Sequence, residues 1–237
     1  MIVLDNIVKS YALQGQSLPI LRIRQWKVES GQRIALMGPS GSGKSTLLHL
    51  IGGVLKADSG ELRVGSFELH RMREPARDSF RAANIGYMFQ DFHLIPSLSA
   101  RQNVELVMDR KLARRERQDR IEHWFERVGL TERMNHLPSQ LSRGQQQRVA
   151  MIRALVNRPP LVLADEPTGS LDRVTAEKVM ALLLQLCGEE KLTLLTVTHD
   201  DQLAGMYPTR VQMSEINELM AERTGGDAMA IRAGGAL

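Results

Sequence analysis

The feature that most constrains this fold is the run Gly38-Pro39-Ser40-Gly41-Ser42-Gly43-Lys44-Ser45-Thr46, because of what flanks it. The apolar Ile34-Ala35-Leu36-Met37 precedes it and the helix-forming Leu47-Leu48-His49-Leu50-Ile51 follows, so the order is strand, glycine-rich turn, helix. Glycines at such a junction let backbone N–H groups turn inward and approach an anion that a Cβ would obstruct. The following helix points the positive end of its dipole at the same place. The expected ligand is a chain of phosphates, with Lys44 a point charge for the β- and γ-phosphates. Ser45 then offers a hydroxyl to Mg²⁺, which prefers hard oxygen ligands. An ordinary glycine-rich turn would not need so complete a match in this setting.

At 237 residues and 43% hydrophobic, the chain can bury a large core as a single α/β unit. Its one cysteine, Cys187, cannot form an internal disulfide and fits a reducing compartment. The start Met1-Ile2-Val3-Leu4-Asp5 lacks the features of an export signal, and no apolar run approaches the ~18 residues of a membrane span, so a cytoplasmic chain is expected. The excess of 31 Lys+Arg over 27 Asp+Glu is modest. Arginines between Arg110 and Arg120 interleave with Glu116 and Asp119, as on a solvated helix face. Aromatics are only 4% and do not alternate with basic residues, so no nucleic-acid partner is expected.

The first third of the chain reads as short strands: residues 2–8, Leu21-Arg22-Ile23, Trp26-Lys27-Val28 and, after the turn Asp58-Ser59-Gly60, Glu61-Leu62-Arg63-Val64. They form a small antiparallel sheet. Tyr11, expected just beyond the first strand, either lays its ring on a purine base or packs at the strand end. Ile85-Gly86-Tyr87-Met88-Phe89 reads as a buried strand ending at Gln90, whose amide can bind Mg²⁺ through its oxygen, a capping role being equally open. Residues 96–137 read as a helical insertion, with Ile121, Trp124, Phe125 and Val128 recurring at i, i+3, i+4 and i+7 and Gly129 where a C-terminal cap belongs.

Leu141-Ser142-Arg143-Gly144-Gln145 opens a helix that continues through Val149, Ile152 and Val156 and stops before Pro159-Pro160. A serine and a glycine at a helix N-terminus make a second anion site, and one nucleotide does not need two. The economical expectation is that this site faces the nucleotide held by another copy. Leu161-Val162-Leu163-Ala164 is a continuous apolar strand of parallel-sheet type. It delivers Asp165 to a Mg²⁺ shell and Glu166 to orient the attacking water, unless the two are a structural carboxylate pair. Ser170-Leu171-Asp172 precedes a helix with Val179, Leu182, Leu183 and Leu186 on one face, and residues 193–198 form the next strand. It ends at His199, which can touch a γ-phosphate or hold the water with Glu166.

Together these residues resemble the ATP-binding subunits of ABC transporters, over residues 1–209. Residues 38–46 match the Walker A motif, Gln90 the Q-loop, Leu141-Ser142-Arg143-Gly144-Gln145 the signature motif, and residues 161–165 Walker B, with Glu166 the catalytic glutamate. Ser170-Leu171-Asp172 matches the D-loop, His199 the switch histidine and Tyr11 the A-loop aromatic. The wording Gln-Gln-Gln-Arg-Val-Ala and Asp-Glu-Pro-Thr-Gly-Ser-Leu-Asp is most similar to the MacB/LolD/FtsE group.

The resemblance implies an α/β P-loop NTPase: an ABC-type domain over residues 1–221, with a RecA-like core, an antiparallel β-subdomain and an inserted α-helical subdomain at about 91–141. Residues 222–237 are expected to be a flexible tail. It implies ATP hydrolysis with Mg²⁺, Lys44, Glu166 and His199 being catalytic and Ser45, Gln90 and Asp165 holding the metal. Nucleotide contacts are implied for Tyr11, residues 38–46, Gln90, Ser142, Gly144, Gln145 and Asp172. Two copies are expected to close head to tail with ATP between one copy's Walker A and the other's Ser142 and Gly144, on the cytoplasmic side of the inner membrane, peripherally bound to an integral permease. The implied work is export, lipoprotein or lipid extraction, or mechanical transmission across the envelope. The alternative is an FtsE-like ATPase that signals to cell-wall enzymes without transport. Three departures stand out: Arg143 where a glycine is usual, Ile152 where an alanine is usual, and residues 210–220, which lack the usual short strand and Asp-Gly turn.

Overall fold

The structure is a computed structural model that describes residues 1–13, 15–109 and 111–220, so the expected tail at 222–237 lies outside the described residues. The chain opens with a long antiparallel hairpin, β1 (Ile2–Leu13) and β2 (Gln16–Val28), and then β3 (Arg33–Met37) leads through residues 38–43 into α1 (Lys44–Ile51). β4 (Ser59–Val64) and β5 (Phe67–Glu68) complete a four-stranded antiparallel sheet in the order β2-β1-β4-β5. Next come α2 (Glu74–Asn84), β6 (Ile85–Met88), α3 (Ala100–Glu105), α4 (Arg114–Arg127), α5 (Arg143–Leu155) and β7 (Leu161–Asp165). The described chain closes with α6 (Arg173–Glu189), β8 (Thr193–Val197), α7 (Asp201–Ala204), β9 (Thr209–Gln212) and α8 (Met213–Ile216). The second sheet is parallel, in the order β6-β7-β8-β3-β9.

Alternate residues of the central parallel strands serve two different cores, as the period of two requires. Ile34, Leu36, Leu161, Leu163, Leu195 and Val197 pack with Leu47, Leu48 and Ile51 of α1 and with the inward face of the antiparallel sheet. Ala35, Met37, Val162, Ala164 and Leu194 pack with α5, α6 and the helices between β6 and β7. Both faces being covered, these strands run largely apolar without alternation, and the two buried threonines of β8 are hydrogen-bonded, Thr193 by the Gly31 N–H and Thr196 by Tyr207 Oη. One approach is closer still: a Cβ on Gly86 of β6 would lie 2.1 Å from the Ala154 carbonyl oxygen, so β6 and α5 meet backbone to backbone.

Ile121, Trp124, Phe125 and Val128 are all buried, and Gly129 takes a φ of 69° just after α4, the left-handed turn expected of a helix stop. Other expectations are corrected. Residues 21–23 and 26–28 belong to one strand, β2, in which Arg24 and Gln25 are exposed positions and not a break. Tyr11 lies inside β1 and not beyond it, because the hairpin continues to Leu13 after a bulge between Lys9 and Ser10. A strand does exist near the C-terminal end: β9 pairs in parallel with β3, from Ile34 with Thr209 to Met37 with Gln212. Its polar, half-exposed residues hide it, since backbone pairing at a sheet edge needs no apolar pattern.

Candidate active site

The carboxyl ends of the parallel strands bring the predicted residues to one edge of the sheet, the edge where open α/β sheets bind ligands. In spatial order they deliver Gln90 after β6, Asp165 and Glu166 from β7, His199 after β8, and the glycine-rich loop after β3. A cleft of about 620 Å³ at this edge is lined by Tyr11, Ser40, Gly41, Gly43, Lys44, Ser45, Thr46, Gln90, Asp165, Glu166 and His199.

The loop is shaped by its glycines and held by its lysine. Gly43 has a φ of 94°, and a Cβ there would lie 2.6 Å from Leu21 Cδ2, so both conformation and space require glycine. Lys44 Nζ donates to the carbonyl oxygens of Gly38 at 2.7 Å and Pro39 at 2.9 Å, which fixes the ammonium within its own loop. Burial pushes the Lys44 pKa below its ordinary value, while the carboxylates of Glu166 and Asp165 act to raise it. Ser42 is buried and does not line the cleft, and neither do Gly38 and Pro39. Gly38 and Ser42 can offer an anion only their backbone N–H groups, and Pro39, which has no N–H, offers no donor and serves instead as an acceptor for Lys44.

Glu166 follows the last paired residue of β7 and takes a φ of 46°, unusual for a residue with a Cβ. Consecutive strand side chains point to opposite faces, so this left-handed turn is what lets Asp165 and Glu166 line the same cleft. Backbone bonds hold it there: the Glu166 N–H donates to Val197 O at 3.0 Å and the Gly169 N–H donates to Glu166 O at 3.0 Å. His199 Nδ1 donates to Glu166 Oε1 at 2.7 Å, since a carboxylate only accepts. Its other ring nitrogen remains for a ligand. Ser45, Gln90 and Asp165 supply a hydroxyl, an amide oxygen and a carboxylate to one cleft, the hard-oxygen set that suits Mg²⁺ beside phosphates. Tyr11 Oη lies 3.5 Å from Thr46 Oγ1, and Lys9 Nζ sits 5.7 Å from its ring centroid.

Four predicted residues lie elsewhere. Ser142 caps α5: its Oγ accepts from the Gln145 N–H at 3.3 Å, and Gln145 Oε1 accepts from the Ser142 N–H at 2.9 Å. Asp172 caps α6 by accepting from the Thr175 N–H at 3.0 Å, and its hydrogen bonds with Thr175 hold its carboxyl below the usual carboxylate range. A Cβ on Gly144 would lie 2.6 Å from Thr175 Cγ2, so α5 and α6 begin in contact. None of the four lines the cleft. The Arg143 guanidinium lies 5.7 Å from the Phe92 ring of its own chain, and Arg153 donates to the carbonyl oxygens of Phe92 and His93 at 2.7 and 2.6 Å. α5 therefore grips the segment after Gln90 at two points. Ile20 and Val197, which also line the cleft, carry no signal in the sequence because they read as ordinary strand residues.

The parallel sheet, the glycine-rich loop entering α1 and the carboxylates at the ends of neighbouring strands define a P-loop nucleoside triphosphatase. The ABC transporter family profile matches residues 21–169, and the chain belongs to that family. It is 46% identical over 207 residues to the uncharacterized ABC transporter ATP-binding protein YbbA of Escherichia coli K12, covering 84% of this chain and 91% of that one. It is 39% identical over 206 residues to the lipoprotein-releasing system ATP-binding protein LolD of Treponema denticola, covering 86% and 91%. Among solved structures, the dimeric post-hydrolysis state of the ATP-binding cassette MJ0796 bound to ADP and Pi matches with a TM-score of 0.81 at 37% identity, covering 92% of this chain and 94% of that one. The chain is an ATP-hydrolysing cassette of the MacB/LolD-like group.

Proposed function

We propose that two copies close head to tail on two ATP, each copy placing Ser142 and Gly144 against the nucleotide held by residues 38–46 of the other, and that the pair drives a membrane partner of MacB/LolD type. The carrying observation is that α5 begins with an exposed, serine-capped N-terminus that does not line its own chain's cleft, a helix end of the kind that suits an anion. The dimeric solved relative supports it. ATP that contacts both copies only in the closed pair shifts the population toward closure, and hydrolysis releases it.

Within each cleft, Tyr11 stacks on the base, loop amides and Lys44 bind the β- and γ-phosphates, and Ser45, Gln90 and Asp165 hold Mg²⁺. When bound, Mg²⁺ neutralises phosphate charge. Glu166 orients the attacking water and takes its proton as the bond from the γ-phosphorus to the bridging oxygen breaks. His199 holds the Glu166 carboxylate through Nδ1 and offers its other nitrogen to the γ-phosphate.

Among the described residues no helix is long and apolar enough to cross a membrane, and we assign the spans to the membrane partner. We assign its docking to the groove of about 520 Å³ beside Phe89, His93, Leu106, Val107, Arg153 and Asn157, where Leu106 and Val107 are exposed apolar side chains. Arg153 links that groove to the segment after Gln90, a route from docking site to nucleotide. Purifying the chain from detergent-solubilised inner membranes should bring down a protein with four spans and a large periplasmic domain. A many-spanning permease would favour ordinary solute transport, and recovery without any membrane protein would contradict the proposal.

A further inference from the structure

We propose that Asn217 is a positioning residue of the phosphate-binding loop: from near the far end of the described chain, its carboxamide sets the direction in which the Gly43 N–H points. The inference rests on residues 38–46 being the loop that holds phosphates.

Asn217 follows α8 and is 1% exposed. Its Oδ1 accepts from the Arg22 N–H at 2.9 Å, and its Nδ2 donates to Ile20 O at 2.9 Å and to Ser42 O at 3.2 Å. The orientation of the amide is forced, because an N–H can only donate and the two carbonyls can only accept. All three partners are backbone groups, so one side chain joins the loop to β2.

The consequence follows from peptide geometry. The Ser42 carbonyl and the Gly43 N–H belong to one planar trans unit and point in opposite directions. Holding the carbonyl oxygen on buried Asn217 aims the N–H the other way, toward the cleft whose wall Gly43 forms. Without that anchor the unit beside a glycine could rotate at low cost, because glycine takes either sign of φ. The support behind the loop is continuous: Met213 at the start of α8 is fully buried, with its Cβ 3.0 Å from where a Cβ on Gly38 would be. The Asp-Gly turn whose absence marks this stretch is thus replaced by a short helix ending in a residue that reaches the loop.

The test compares binding of a fluorescent ATP analogue with Mg²⁺ at 10 °C, together with KM and kcat, in the full chain, in Asn217→Ala and in Asn217→Asp. The aspartate keeps the shape and the acceptor for Arg22 but replaces both donors, so it covers the case in which alanine folds poorly. Leu186→Ala, a buried truncation on α6 in the other core, controls for lost stability. Misaligning one donor to a charged phosphate should weaken binding and raise KM about 10-fold, with kcat at saturating ATP within about two-fold. Leu186→Ala should lower Tm and leave affinity alone. If the Asn217 variants lose Tm but bind like the unaltered chain, or if Leu186→Ala weakens binding equally, the role of Asn217 is overturned. If the unaltered chain binds no Mg-ATP, the loop reading itself falls, and this inference with it.

Discussion

Glu166→Gln is expected to lower ATP turnover by about 10²–10⁴-fold while leaving nucleotide binding in place. Glutamine keeps the length and can still accept the His199 bond through its amide oxygen, so the 2.7 Å contact and the turn at a φ of 46° survive. What disappears is a base able to take the water's proton. Binding then proceeds without release, and an ATP-bound dimer should accumulate, visible as a doubled mass by light scattering in Mg-ATP. Phosphate release within a few-fold of the unaltered chain would remove Glu166 from this role.

Lys44→Ala is expected to weaken ATP binding by about 100-fold or more, since it removes the cation proposed to face two phosphates in a partly desolvated cleft. Its ammonium sits on the Gly38 and Pro39 carbonyls, and the carboxylates of Glu166 and Asp165 favour its charge. Truncation therefore removes a positive charge that offsets both these carboxylates and the polyphosphate. Because burial already works against this charge, folding should change little, and Tm should stay within a few degrees. Titration with a fluorescent ATP analogue checks the affinity; near-normal binding would show that backbone amides alone hold the phosphates.

The loop was legible because its chemistry is local: consecutive residues carry the glycines, the lysine and the hydroxyls. β3 and β7 were legible because residues 34–37 and 161–164 run apolar between two covered faces, and α4 because Ile121, Trp124, Phe125 and Val128 keep helical spacing up to Gly129. What escaped reading depends on partners distant in sequence. β9 is a strand only because β3 offers it an edge, whereas the meeting of His199 with Glu166 was expected, because β7 and β8 read as strands of one sheet. The left-handed turn at Glu166 and the reach of Asn217 to Ser42 are likewise tertiary facts. Ser142 reads in sequence as opening a helix and facing another copy's nucleotide, and in its own chain it is a helix cap that does not line the cleft.

That last separation is the centre of the account, and it can be tested by mixing two variants, each with one introduced cysteine, in a Glu166→Gln background. Native Cys187 is buried and will not compete for mild oxidant. A chain carrying Ser40→Cys and a chain carrying Ser142→Cys should form a disulfide-linked dimer when mixed with Mg-ATP, and neither should do so alone. ATP-dependent nucleotide binding with no cross-link from the mixture would contradict the claim that each cleft is completed by a second copy.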